Sequence, residues 1–181
     1  MSKEAMLYEQ LPENKVKCNL CARRCTIRPD GVGFCLVRKN EKGRLYSLVY
    51  GKACSACVDP ITKKPLSHFH PGSMVMSIAT VGCNFRCRFC DNWAISQEKK
   101  ITGYEFPPEQ VVKATKDNGC HGISYTYTEP TIFFEYAYDT AKLAHNQGFF
   151  NTFVTNGYMT TEAVQTIAPF LDAATVDFKG G

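Results

Sequence analysis

Residues 82–93, "GCNFRCRFCDNW", contain three cysteines within eight positions: Cys83, Cys87 and Cys90. Their spacing of i, i+4 and i+7 is compatible with one face of an α-helix. However, a glycine and an asparagine in the stretch are turn residues, and on a continuous helix the outer thiols would be separated by roughly 10 Å of rise. The pattern therefore favours a metal-binding loop over a helix face.

Three adjacent thiols suit some metal sites better than others. A structural zinc site needs four ligands, but the next candidates along the chain are Cys120 and His121. A redox C-x-x-C pair would leave Cys83 without a role. A [4Fe–4S] cluster fits best, because iron–sulfur clusters prefer thiolate ligands. Three ligands for four irons also leave one iron open, as in catalytic metal sites.

The composition limits the function classes. The chain has 181 residues, ten cysteines and a formal net charge of +4. Its N-terminus, "MSKEAMLYEQLPENK", lacks the apolar core of an export signal, and no run of about 18 apolar residues occurs. We therefore expect a cytoplasmic protein without a membrane segment, in which the cysteines bind metal rather than form disulfides. The basic residues are scattered, so nucleic-acid binding is not expected.

Residues 1–72 are predicted to form a cysteine-rich N-terminal segment with an auxiliary metal site. Its ligands would be the four thiols of a C-x2-C-x3-C-x9-C pattern with intervening turns: Cys18, Cys21, Cys25 and Cys35. The spacing does not distinguish zinc from a second iron–sulfur cluster or from unliganded thiols. A further pair, Cys54 and Cys57, could supply other ligands or a labile disulfide. The proline-rich "DPITKKPLSHFHPGS" that follows predicts an irregular linker.

Residues 73–181 alternate between predicted strands and helices. The strands are "SMVMSIATVG", "GISYTYT", "FFNTFVTNG" and "AATVDFK", and three helical segments separate them. This alternation predicts βαβ units with a parallel sheet, hence an α/β fold. A partial (β/α) TIM-like barrel, truncated after about four strands, is favoured over a doubly wound sheet, because each strand end carries a polar loop.

The segment "CNFRCRFC" resembles the C-x-x-x-C-x-aromatic-C motif of the radical S-adenosylmethionine (radical SAM) superfamily. The resemblance implies a [4Fe–4S] cluster on Cys83, Cys87 and Cys90, whose open iron binds SAM. In that family, one electron from the cluster cleaves SAM to methionine and a 5′-deoxyadenosyl radical. The aromatic residue before the last cysteine, here Phe89, would pack near the adenine.

Later strand ends carry further resemblances. "YTYTEP" resembles the family's Gly-Gly-Glu-type segment, although Tyr127 and Thr128 replace the glycines, and only Glu129 carries over. It would bind the SAM ammonium, and it could equally begin a helix. "VTNG" and "VDFK" resemble segments of the pyruvate formate-lyase activating enzyme branch. They imply that Asn156, Asp177 and Lys179 contact SAM. The alternatives are a plain turn at Asn156 and a solvated strand end at Asp177 and Lys179.

Across nearly its whole length the chain resembles AmmeMemoRadiSam-system radical SAM proteins, through segments such as "CNLC", "SLVYGKA" and "SYTYTEPT". That family is longer, so we expect the remaining barrel strands to be missing. The resemblance implies a radical SAM enzyme that takes electrons from a low-potential ferredoxin or flavodoxin. Its substrate would be a glycyl-radical partner protein or another macromolecule or metabolite. The alternative function is a non-catalytic zinc-binding interaction module.

Overall fold

The computed structural model describes residues 2–179, and the chain begins with short antiparallel strands. These strands are β1 (Lys3–Glu4), β2 (Tyr8–Leu11), β3 (Lys15–Cys18), β4 (Thr26–Ile27), β5 (Arg38–Glu41), β6 (Arg44–Ser47) and β7 (Lys52–Ala53). They form two three-stranded sheets, of order β1-β6-β5 and β2-β3-β4, while β7 pairs elsewhere. The predicted strand in "GRLYSLVYGKA" is confirmed by β6 and β7.

All but one of the remaining strands build the central sheet. These remaining strands are β8 (Ser55–Pro60), β9 (Met74–Ala79), β10 (Tyr104–Glu105), β11 (Gly122–Tyr125), β12 (Phe150–Thr155) and β13 (Ala173–Val176). β10 pairs with β7, and the other five form one sheet of order β13-β12-β11-β9-β8. Within it β9, β11, β12 and β13 are parallel, whereas β8 runs antiparallel to β9.

The helices alternate with the parallel strands. They are α1 (Trp93–Ser96), α2 (Pro108–Asp117), α3 (Phe134–His145) and α4 (Thr161–Ile167), and single 3-10 turns occur at Pro12–Asn14, Ile61–Lys63, Pro130–Phe133 and Ala168–Phe170. The predicted four strands with three intervening helices are thus confirmed as an α/β arrangement, and the sheet of residues 2–179 is open rather than a closed barrel. Within the same range, no helix has the length and apolar character needed to cross a membrane.

The register of the sheet brings its strand ends together. Tyr125 of β11 pairs with both Ile78 of β9 and Phe153 of β12, and Thr155 of β12 pairs with Val176 of β13. The loops that follow these four strands therefore leave from one edge. In parallel sheets, ligands bind beyond this carboxyl edge.

The predicted linker "DPITKKPLSHFHPGS" is only partly irregular. Its first two residues belong to β8, which pairs with β9 from Ser55 opposite Ala79 to Pro60 opposite Met74. Pro60 is tolerated because it is the last residue of an edge strand, where its missing N–H costs no ladder bond. The region before residue 72 thus contributes a strand to the central sheet, and the division of the chain at that residue stays a prediction.

A buried ion pair joins the N-terminal strands to the central layer. Arg38 of β5 and Glu135 of α3 are 2% and 0% exposed, and their side chains meet at 2.9 Å. Glu135 also accepts a hydrogen bond from the Met6 N–H, while Arg38 donates to the Met6 carbonyl. These extra bonds satisfy two charges that would otherwise be costly to bury, so the pair fixes the position of the N-terminal strands on α3.

Candidate active site

The cysteine loop follows β9 directly and is not helical. It runs through turns and bends from Gly82 to Asn92 before α1 begins, so the helix-face alternative is wrong. Gly82 has a φ of +97°, and a Cβ added there would lie 2.7 Å from Val37 Cγ1 and 2.8 Å from the Cys35 carbonyl oxygen. Glycine is required by both the conformation and the space. The loop is therefore packed closely against the N-terminal segment.

All eight residues assigned to cluster and SAM binding line one cavity of about 440 Å³ at the carboxyl edge of the sheet. This volume is typical of a small-molecule site. The three cysteines lie on one wall, and the loops after β11, β12 and β13 provide others. The predicted residues that share the cavity are Cys83, Cys87, Phe89, Cys90, Glu129, Asn156, Asp177 and Lys179.

The thiols of the loop fit a multi-iron cluster. Within residues 2–179, no group of three or more His, Cys, Asp or Glu side chains is arranged to hold a single metal ion. A [4Fe–4S] cluster makes a different demand, because each thiolate binds a separate iron. Burial raises the pKa of Cys83 to about 11, and the Phe85 N–H donates to its sulfur at 3.4 Å. The three soft donors facing one roomy cavity suit such a cluster.

Glu129 is buried at the centre of the strand ends and is 2% exposed. One carboxylate oxygen accepts from the Thr131 N–H at 3.0 Å and the Thr155 hydroxyl at 2.6 Å, and the other accepts from the Asn156 N–H at 2.8 Å. Burial raises the pKa of Glu129, and these donors oppose that shift. Glu129 therefore begins the 3-10 turn, as the alternative interpretation held, and also lines the cavity. The two roles coexist.

Asn156 connects the cavity to the cysteine loop. Its side-chain N–H donates to Asn84 Oδ1 at 2.8 Å, and its own oxygen accepts from the Tyr158 N–H. Asn84, fully buried, lies between Cys83 and Phe85 in the loop. Sequence reasoning treated Asn84 only as a turn residue, and its contact with a residue 72 positions later carried no local signal.

The end of β13 supplies an ion pair. Lys179 and Asp177 meet at 2.9 Å with their side chains about one-third exposed. Burial opposes the charge on Lys179, but the bond to Asp177 and the nearby thiols of Cys87 and Cys90 raise its pKa. Phe89 lies at the cavity with 68% of its surface exposed. An exposed aromatic ring beside a cavity suits a ligand that covers it.

A further group of site residues that was not predicted surrounds Asp59. Lys63 and Lys64, from the segment interpreted as a linker, line the cavity and donate to Asp59 at 2.7 and 2.8 Å. Tyr127 also lines the cavity and donates its hydroxyl to Asp59. Tyr127 has a φ of +62°, the region that favours glycine, at one of the positions where the resembling family has glycine. The two adjacent lysines in the sequence were the signal from which this part of the site could have been predicted.

The N-terminal cysteines form a second, separate group. Cys18, Cys21, Cys25 and Cys35 line a second, small pocket, whereas Cys54 and Cys57 line neither cavity. Burial raises the pKa of Cys35 to about 12 and that of Cys54 to about 11. All ten cysteines are unpaired thiols within residues 2–179. The structure thus separates the two cysteine clusters that the sequence distinguished.

Comparison with known proteins identifies the class. The radical SAM superfamily model matches residues 77–181, more than half of the chain, and the chain belongs to this superfamily. Its members are enzymes that use an iron–sulfur cluster and SAM for radical chemistry. The matched region includes the cysteine loop and every strand end that lines the cavity.

Two curated relatives show how far the similarity extends. An uncharacterized protein of Methanocaldococcus jannaschii is 48% identical over 180 residues, which are 98% of this chain and 54% of the relative. The 7-carboxy-7-deazaguanine synthase of Thermococcus kodakarensis is 30% identical over 128 residues, 60% of this chain and 50% of that enzyme. The chain therefore spans about half the length of the curated relatives it matches.

Proposed function

We propose that this chain holds a [4Fe–4S] cluster on Cys83, Cys87 and Cys90 and binds SAM in the adjoining cavity. The observation that supports this most strongly is that all eight residues assigned from sequence line one cavity at the carboxyl edge of the parallel strands. When bound, the cluster supplies the electron that cleaves SAM to methionine and a 5′-deoxyadenosyl radical, which then abstracts hydrogen from a substrate. Superfamily membership favours this enzyme over a zinc-binding interaction module.

The residues of the cavity divide into binding and positioning roles. Glu129, held by donors on both oxygens, would accept from the SAM ammonium at the strand ends. The Lys179 ammonium would pair with a carboxylate, and Asp177 holds it in place at 2.9 Å. Phe89 offers an exposed aromatic face for a nucleobase. Asn156 positions the cysteine loop through Asn84.

The lysine pair adds charged groups to the cavity. Lys64 is 1% exposed and its charge is balanced by Asp59, whereas Lys63 is largely exposed. Carboxylates also line the cavity, so its lining carries groups of both signs: Asp91, Glu129 and Asp177 beside Lys63, Lys64 and Lys179. A lining of both signs suits a zwitterionic ligand such as the amino and carboxylate groups of SAM.

The finer assignments are also proposals. We infer from the segment resemblances that the chain is of the AmmeMemoRadiSam type within the pyruvate formate-lyase activating enzyme-like branch, with glycyl-radical activation as one form of its chemistry. Its four parallel strands would then be part of a longer (β/α) TIM-like barrel. A low-potential ferredoxin or flavodoxin is the proposed electron donor, because SAM cleavage requires an electron near the reducing end of the iron–sulfur range.

The direct test is anaerobic reconstitution of the chain with iron and sulfide, followed by addition of dithionite and SAM. We expect about four irons per chain at the core site and formation of 5′-deoxyadenosine that requires both SAM and reductant. Omission of either reagent is the control. A colourless protein that binds no iron, or a cluster-loaded protein that produces no 5′-deoxyadenosine, would contradict the proposal.

A further inference from the structure

The pocket lined by the N-terminal cysteines, here called the four-thiol pocket, brings four thiols from separate segments to one place. Its thiols come from the end of β3, the β3–β4 connection and the segment before β5: Cys18, Cys21, Cys25 and Cys35. Cys18 and Cys35 are buried, and the other two are half-buried. The Cys18 N–H donates to the Cys25 carbonyl at 2.9 Å, which closes the connection between these two thiols.

Two buried N–H donors of this pocket have no partner. Arg38 Nε and Asn84 Nδ2 belong to residues that line the four-thiol pocket and are 2% and 0% exposed. Neither atom has a hydrogen-bond partner within residues 2–179. An unpaired buried donor is costly, and a neutral thiol is a weak acceptor. Thiolate sulfurs, by contrast, accept charge-assisted hydrogen bonds, so both donors would gain partners if a bound metal ion displaced the protons of these thiols.

The charges around the pocket also suit an anionic thiolate group. Arg23 lines the pocket, and its guanidinium lies 3.6 Å over the Phe34 ring while it donates to the Asn84 carbonyl. Arg38 is a second guanidinium at the pocket; its Nη1 pairs with Glu135 and its Nη2 donates to the Met6 carbonyl, while Nε has no partner within residues 2–179. Four thiolates around a divalent cation carry a net negative charge, which the Arg23 guanidinium offsets in part.

The volume of the four-thiol pocket favours a single zinc ion over an iron–sulfur cluster. Its volume of about 20 Å³ is close to that of one water-sized probe, whereas the cavity at the cysteine loop measures about 440 Å³. A single ion fits the smaller space, and a cluster of four irons and four sulfides does not. The C-x2-C pair at Cys18 and Cys21 is also a common arrangement in structural zinc sites.

We propose that Cys18, Cys21, Cys25 and Cys35 bind one structural Zn²⁺ as thiolates, with Asn84 and Arg38 donating hydrogen bonds to the sulfurs. Each thiol releases its proton to solvent on binding, and the four side chains must turn toward the ion, because within residues 2–179 they are not already arranged around a single-ion position. The ion would fix the segment that carries Cys35, whose carbonyl lies against Gly82 of the cysteine loop. It would thus stabilise the segment against which the cysteine loop packs.

The test uses the full chain with Cys83, Cys87 and Cys90 replaced by alanine, so that zinc at the four-thiol pocket is measured alone. Zinc titration should give one ion per chain, X-ray absorption should show four sulfur ligands, and Co²⁺ should give tetrahedral thiolate absorption bands. In this background, Cys35→Ser should lose tight zinc binding. Asn84→Leu should weaken zinc binding about tenfold, as removal of a hydrogen-bond donor to a ligand does.

Cys57→Ser is the matched control, because Cys57 is exposed and lies outside both cavities. It should bind zinc like the parent. Equal zinc binding by Cys35→Ser, or fewer than four sulfur ligands in the parent, would overturn the proposal. An iron–sulfur spectrum in the parent that disappears with Cys18→Ser would overturn the choice of a single ion. If Cys35→Ser fails to fold, the sulfur count of the parent still decides. SAM cleavage does not enter this test, so its outcome is independent of the proposed function.

Discussion

The two cysteine clusters differ in how much space their thiols face. Cys83, Cys87 and Cys90 face a cavity of about 440 Å³ that is also lined by three later strand ends. The four N-terminal cysteines face about 20 Å³ and two unpaired N–H donors. Catalytic metal sites keep a position open for a ligand, and structural sites close their shell with protein ligands. The difference in space thus supports the two proposals, of a catalytic cluster at the larger cavity and a structural ion at the smaller pocket.

The two clusters are nevertheless in contact. Asn84 lines the four-thiol pocket and binds Asn156 of the cavity. Arg86 of the cysteine loop donates to the Phe34 carbonyl at 2.7 Å, and its guanidinium lies 4.4 Å from the Phe34 ring. A change at the boundary should therefore affect stability, whereas a change inside one cluster should leave the chemistry of the other intact.

The largest stability effect is expected at the buried Asp59–Lys64 ion pair beside the larger cavity. Asp59→Asn leaves the Lys64 ammonium, 1% exposed, without its carboxylate partner. We expect a loss of about 3–5 kcal/mol in the free energy of unfolding near neutral pH, measured by urea denaturation. Asp117→Asn, which breaks an exposed pair with Lys113, is the control and should change stability by less than about 1 kcal/mol.

The stability lost in the same variant should depend on pH. Burial opposes ionisation of Asp59, but hydrogen bonds from Lys63, Lys64 and Tyr127 hold its pKa well below the usual range. A depressed carboxyl pKa contributes stability above about pH 4, and this contribution is lost as the pH falls further. The difference between wild type and Asp59→Asn should therefore shrink below about pH 4. A constant difference down to acid pH would contradict the ion pair.

The next largest effect is expected where the two clusters touch. In Gly82→Ala, the alanine must adopt a φ of +97°, and its Cβ would lie 2.7 Å from Val37 Cγ1. We expect a loss of about 2–4 kcal/mol from the strained conformation and the overlap combined. Gly119→Ala is matched in sign of φ, at +63°, but its Cβ meets no atom of residues 2–179 within 4 Å. If both variants lost the same stability, the close contact between the clusters would be wrong.

The smallest effect concerns ligand binding alone. Phe89 and Trp93 are both 68% exposed, but only Phe89 lines the open cavity. Phe89→Leu should raise the SAM dissociation constant about 3- to 10-fold through loss of aromatic stacking, with unfolding unchanged. Trp93→Leu should leave SAM binding as in wild type. Equilibrium binding to the cluster-loaded protein measures both, and equal effects would remove the proposed role of Phe89.

Sequence patterns predicted the parallel strands of the sheet but not β8, the antiparallel strand at one of its edges. The apolar runs of β9, β11 and β12 are nearly fully buried and follow from composition. β8 was missed because its residues mix polar and apolar types and end in a proline-rich stretch, which indicates a loop unless a partner strand is known.

The site was predictable where a residue follows a strand end, as for Glu129 and Asn156. Asn84 was missed because its partner Asn156 is distant in the chain. Asp59 and Lys64 lie only five residues apart, but their segment was interpreted as a linker, and the contact of Asp59 with Tyr127 spans 68 positions. Tyr127 takes a backbone conformation typical of glycine while its hydroxyl binds Asp59 on β8. Local propensity does not predict such a conformation, because a long-range contact accompanies it.

The central claim is that the three-thiol site at the larger cavity carries the chemistry and that the four-thiol pocket does not. The most direct measurement compares the rate of 5′-deoxyadenosine formation in Cys83→Ala and Cys18→Ala, each reconstituted anaerobically and assayed for iron. We predict that Cys83→Ala loses SAM cleavage entirely, whereas Cys18→Ala retains its core iron and measurable cleavage. Equal loss of iron and activity in both variants would contradict the separation of the two sites.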